Sequence, residues 1–140
     1  MALSWLALAI LDAFFAALVA IFAKIGLQDV DPNLATAVRT AIMMAFMAGV
    51  VIFTGKFEAI GEITSRQGLF IVLSGVAGAI SWLLYFSALK VGETSKVAAV
   101  DRASLLFVIV MSYMVLGEGI TLRTALAGGL IFLGLLIIAL

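Results

Sequence analysis

Four charged side chains stand inside otherwise apolar stretches of the 140-residue chain: Asp12, Arg39, Asp101 and Arg102. A carboxyl group that takes up and gives back a proton can trade it for a cation. A guanidinium offers a planar fork of N–H donors that suits a carboxylate. Trp82 and Tyr85 lie three residues apart, so both rings share one helix face with Phe86 and Leu89. Such rings can stack on a substrate and attract a cation. Other chemistry is excluded. The chain has no cysteine and no histidine, so disulfides, thiolate chemistry, His-based triads and His- or Cys-rich zinc sites are all absent. Ser95 precedes Lys96, but adjacency does not set an amine on a hydroxyl. No pair of acids shares a face for metal or acid–base work, and no G-x-x-x-x-G-K-[ST] run holds a nucleotide. The residues predict no catalytic group, no metal and no cofactor.

These side chains need elements to position them, and composition says which. Apolar residues make up 66% and charged residues 11%, against roughly 45–50% and about 25% in soluble domains. Mean hydropathy is +1.34. A small soluble domain has too much surface for its volume to hide that hydrocarbon, so an integral, all-α membrane protein is expected. Five apolar spans are read as transmembrane helices of a single domain over residues 1–140, at about 4–25, 34–54, 68–89, 97–116 and 124–140. About 20 residues cross a bilayer core, and helices satisfy their own backbone there. The breaks hold Pro32 with Asp29, Asp31 and Asn33, then Lys56, Glu58, Glu62 and Arg66, then Gly92 and Glu93, then Glu118 and Gly119. The first span has no basic leader and is too long for a signal peptide. Phe57, Ile60 and Ile63 fit either a short interfacial helix or a solvated loop. Zero net charge gives no reason to expect nucleic acid.

Depth follows from the spans. Asp12 falls ~12 Å into the first, where an ionised carboxylate costs about 2.5–3.5 kcal/mol. It therefore faces the interior, is paired or carries a proton, which makes it a candidate for proton coupling and substrate binding; the alternative is a structural bond to a neighbouring helix. Arg39, Asp101 and Arg102 fall ~6–8 Å below the opposite surface. Asp101 and Arg102 point about 100° apart. Asp101 is therefore assigned to Arg39, and Arg102 is left to snorkel or face a cavity. Either the three form a charged mouth for a zwitterionic or anionic metabolite, or they are a structural pair with a snorkelling arginine. Trp82 and Tyr85 line a cavity or serve packing and the aromatic belt.

Lys56, Arg66 and Arg123 fall on the N-terminal side, and Lys24, Lys90 and Lys96 on the other. Adding Arg39 and Arg102 to their nearer surface gives no strong positive-inside bias, which permits insertion in both orientations. Small residues mark helix packing: Gly75 and Gly78 in the third span, and Ala127, Gly128 and Gly134 in the fifth.

The stretch from Leu83 to Ile137 carries Tyr85-Phe86 before Ala88-Leu89, the Gly92-Glu93-Thr94-Ser95 turn, Leu116-Gly117-Glu118 and a glycine-bearing last span. With Phe22-Ala23-Lys24-Ile25-Gly26-Leu27 and Asn33 to Thr40 near the start, it resembles an EamA domain of the drug/metabolite transporter superfamily over essentially the whole chain. Most relatives are ten-helix transporters made of two inverted five-helix halves. The resemblance thus implies that this chain is one half, completed by a second copy in a homodimer, antiparallel by preference, with substrate near the midplane between them. The resemblance implies that Arg39, Asp101 and Arg102 match charged positions of short members, that Asp12 is placed like the first-helix glutamate of four-helix multidrug transporters, and that Ala127 and Gly134 match glycines seven apart in a dimerising last helix. The implied function is secondary-active export of a small metabolite, an amino-acid-like zwitterion or an amphiphilic cation, by proton antiport and alternating access in a prokaryotic inner membrane. The alternative is an accessory subunit of a larger membrane complex such as a lipid-carrier flippase. The expected partners are lipid, a small-molecule substrate and a second copy.

Overall fold

The computed structural model describes residues 4–139, with side chains for 4–138. Every regular element among them is helical. α1 is Trp5–Gly26, α2 Pro32–Phe53, α3 Ser65–Val91, α4 Thr94–Asp101, α5 Ser104–Met111 and α6 Leu122–Ala139. Four stretches are long and apolar enough to cross a membrane: α1, α2, α3 and Thr94–Leu116; Leu122–Ile138 is a shorter apolar helix. The expected end at Leu140 lies outside the described residues. The protein is an integral membrane protein with five apolar helical stretches. The chain divides into two compact units, residues 1–91 and 92–140.

Helix starts lie earlier than the charge pattern suggests, and capping explains why. Pro32 and Asn33 do not separate two spans. Asp31 caps α2 by accepting from the Asn33 and Leu34 amides at 2.8 and 3.2 Å, and Pro32 takes the first helical position, where its missing N–H costs nothing. α3 opens on a reciprocal box: the Thr64 amide donates to Gln67 Oε1 at 2.9 Å, and the Gln67 amide to Thr64 Oγ1 at 3.4 Å. Between α2 and α3, Glu58–Glu62 forms a five-residue 3-10 turn.

The fourth span is not a continuous α-helix. The amides of Arg102, Ala103, Leu105 and Leu106 each reach the carbonyl three residues back, at 2.9–3.1 Å. The chain tightens there, between α4 and α5, while its amides stay bonded, as hydrocarbon demands. A π-turn, Ser112–Leu116, follows α5. It ends at Gly117, whose φ of +69° a side chain would resist. In this unit α6 packs against α4 and α5. A Cβ on Gly128 would meet Ile109 Cδ1 at 3.4 Å and Leu106 Cδ2 at 3.5 Å, ordinary contact distances, so this glycine lies against α5.

In the first unit α3 packs against both α1 and α2. α1 and α3 end side by side, and each carries a lysine in its last turn. Lys24 Nζ donates to the Leu89 carbonyl at 2.6 Å. Lys90 Nζ donates to the Leu27 carbonyl, to Gln28 at 2.7 Å and to Val30 at 3.1 Å. Each helix thus caps the other's carbonyl end, where the dipole also favours a cation. Leu27 and Leu89, at this junction, are 1% and 0% exposed. A bond from a charged donor contributes about 1.5–3 kcal/mol. Lys90→Met should therefore lower the unfolding free energy in detergent by about 2 kcal/mol; an unchanged unfolding curve would contradict the capping role.

Candidate functional site

Arg39 lies seven residues beyond Pro32, the first residue of α2, so its backbone is ~10 Å along the helix, deeper than the sequence spans imply. Its guanidinium lies over the Trp82 ring, 3.6 Å from the centroid, and 5.6 Å from the Phe86 centroid. Trp82 meets Tyr85 and Phe86 edge-on, with centroids 5.6 and 5.8 Å apart. The expected aromatic face of α3 thus exists, and Arg39 is what it holds. Phe86 and Leu89 are buried; Trp82 and Tyr85 are half-buried. Among the described residues no hydrogen bond or ion pair forms at the five N–H groups of Arg39. Stacking occupies the face of the guanidinium and leaves its in-plane donors unused.

Arg39 lines a groove of about 560 Å³ between α1 and α2, floored by Phe86. Val19, Ala23 and Gly26 form its α1 wall; Leu34, Ala35, Val38 and Ile42 form the α2 wall around Arg39. Among the described residues of the lining, Arg39 is the only charged one. Thr36 is buried without cost, since its hydroxyl donates to the Pro32 carbonyl at 2.7 Å. Asp12 lies seven residues into α1. It falls on the same helix face as Val19, Ala23 and Gly26, two turns or ~10 Å below Val19, and is exposed on the chain's surface.

The remaining candidates are placed as follows. Asp101 ends α4, and Arg102 occupies the tightened turn after it, both in the second unit. The expected pairing of Arg39 with Asp101 joins residues of different units; within the first unit the guanidinium's contacts are the two rings. A Cβ on Gly75, Gly78 or Gly134 would meet no described atom within 4 Å. Of the small residues named from the sequence, Gly128 is the one shown packed against a helix. Sequence reasoning missed the Lys24–Lys90 capping and the groove itself. Basic residues in the last turns of α1 and α3 signalled the first. Nothing in an apolar run distinguishes a groove wall from a lipid-facing wall.

Fold and composition together define a helical integral membrane protein with a charged groove inside its spans. The sequence matches the EamA-like transporter family over residues 3–140, and the chain belongs to that family. A protein of Sinorhizobium sp. described as an uncharacterized transporter in the cobO 3' region is 40% identical over 139 residues, 99% of each chain. No solved structure matches. The family is one of transporters, not enzymes.

If stacking on Trp82 holds Arg39, the two residues are energetically coupled. A double-mutant cycle of Arg39→Met and Trp82→Leu, read by unfolding in detergent, should give a coupling of about 1 kcal/mol. Strict additivity would contradict the stacking.

Proposed function

We propose that this EamA-family chain is one half of a secondary-active exporter of small metabolites in a prokaryotic inner membrane, completed by a second copy in antiparallel orientation. Transport proceeds by alternating access about a site near the midplane, driven by exchange for protons at Asp12. Arg39 favours a carboxylate and Asp12 a cation, so an amino-acid-like zwitterion or an amphiphilic cation is the substrate inferred from the charges. Trp82 backs Arg39 at that site, and Tyr85 packs against Trp82.

The observation that carries this reading is a guanidinium with unused donors beside a groove inside a membrane span. A second supports the antiparallel arrangement. Asp12 lies seven residues from the start of α1, and Arg39 seven from the start of α2, which begins at the opposite surface. Each is thus ~10 Å from its own surface. An inverted copy brings its Asp12 to the depth of Arg39. A parallel copy sets Asp12 level with Asp12, and like charges repel.

Proteoliposomes with an imposed pH gradient test this. Wild-type protein should drive uptake of at least one of L-leucine, α-ketoisocaproate and tetraphenylphosphonium above protein-free vesicles. Asp12→Asn should reduce the proton-driven part at least about tenfold while leaving the unfolding curve intact. Uptake that keeps its dependence on the gradient in Asp12→Asn would contradict the proton role.

A further inference from the structure

We infer that the α1–α2 groove binds the carboxylate of a small apolar monocarboxylic acid, with Arg39 as its headgroup receptor and no receptor for an ammonium. This keeps the Arg39 half of the proposed function, departs from the zwitterion or cation inferred there, and rests on that reading only for the claim that the bound acid is carried.

Trp82 covers one face of the Arg39 guanidinium, and a stacked guanidinium keeps its N–H fork in the free plane. That fork fits two carboxylate oxygens at once. Around it the lining is hydrocarbon, so water competes poorly and the charge-assisted bonds act in a low dielectric. The same lining decides against a zwitterion. An ammonium entering with the carboxylate would shed its water among Val38, Ile42 and Phe86 and find no side-chain acceptor there, at the cost of an unsatisfied charge. Asp12 of the same chain does not supply that acceptor. It lies ~10 Å below Val19 along α1, whereas the ammonium nitrogen and the carboxylate carbon of an α-amino acid are bonded to the same carbon. The groove volume of about 560 Å³ is that of a small-ligand pocket and accepts a branched or cyclic apolar body.

The chain contains two tryptophans, and Trp5, 79% exposed at the start of α1, is dispensable to the groove. A Trp5→Phe protein therefore reports from Trp82 alone. This protein, in phosphatidylcholine nanodiscs, would be titrated with isocaproate, isocaproamide, L-leucine and isoamylamine, following Trp82 emission. Isocaproate should give a saturable change; the amide, the zwitterion and the amine should bind at least about tenfold more weakly. Arg39→Gln should abolish the isocaproate response. Ala35→Leu fills the groove one turn from Arg39 and keeps the charge, so it guards against a misfolded arginine variant; it should weaken binding at least about tenfold.

L-leucine or isoamylamine binding as tightly as isocaproate would overturn the inference, as would an amide that binds as well as the acid. So would isocaproate affinity unchanged by Ala35→Leu in a folded protein. A Trp82 response to phosphatidylglycerol nanodiscs, with none to isocaproate in either lipid, would overturn it in favour of a lipid phosphate. Equilibrium binding stands apart from transport. Isocaproate binding with no uptake of L-leucine, α-ketoisocaproate or tetraphenylphosphonium upholds this inference and defeats the transporter reading. Leucine uptake without isocaproate binding defeats this inference alone.

Discussion

Hydrocarbon supplies no hydrogen-bond partner and poorly tolerates charge, so every polar group within the bilayer must be met from inside the protein. Most of the unusual features of this chain answer that constraint. Thr36 and Thr40 return their hydroxyls to carbonyls four residues back. The backbone around Arg102 tightens without releasing its amides. Arg39 is the partial exception. Its charge rests on the rings of Trp82 and Phe86, which offset part of the cost of burial but leave its donors unused. A guanidinium held in that way gains from the arrival of an anion, and ring and groove together make it a receptor.

The same constraint bears on how the chain is completed. Among the described residues the buried hydrophobic side chains are Ala20, Leu27, Phe86 and Leu89, all in the first unit and three of them toward the lysine-capped end of α1 and α3. That end is tied by packing and by charge–dipole bonds. Asp12 lies near the other end of α1, exposed among apolar neighbours. An exposed acid at that depth requires water, a bound proton or a counter-charge. In the proposed antiparallel pair, depth alone supplies the counter-charge, because inversion exchanges the levels of Asp12 and Arg39.

Much of the fold was legible in composition and spacing. Runs of apolar residues separated by charged breaks located all five stretches, since length and hydropathy are what a bilayer selects. The boundaries were misjudged where polar residues do helical work. Asp31-Pro32-Asn33 reads as a loop until Asp31 is seen as a cap, and Thr64 with Gln67 likewise. The break in the fourth span left no glycine or proline to mark it; its trace is the charged pair Asp101-Arg102. At the site, residue type revealed Arg39 and Trp82 separately, because charge and aromatic rings are conspicuous in hydrocarbon. Their contact was not legible, since it depends on how α2 packs on α3. The groove was invisible for a related reason: Val19, Val38 and Ile42 would read the same facing lipid.

The account turns on the chain being half of an antiparallel assembly. The sequence lacks cysteine, so Gln28→Cys in the loop after α1 gives a single reactive thiol, and the Gln28 group that Lys90 bonds is a backbone carbonyl, which the substitution keeps. Intact cells would be labelled with a membrane-impermeant thiol reagent, then again after lysis. The account predicts that about half of the protein reacts from outside, as insertion in both orientations requires. Reaction of all or of none would contradict it, because every copy would then share one orientation.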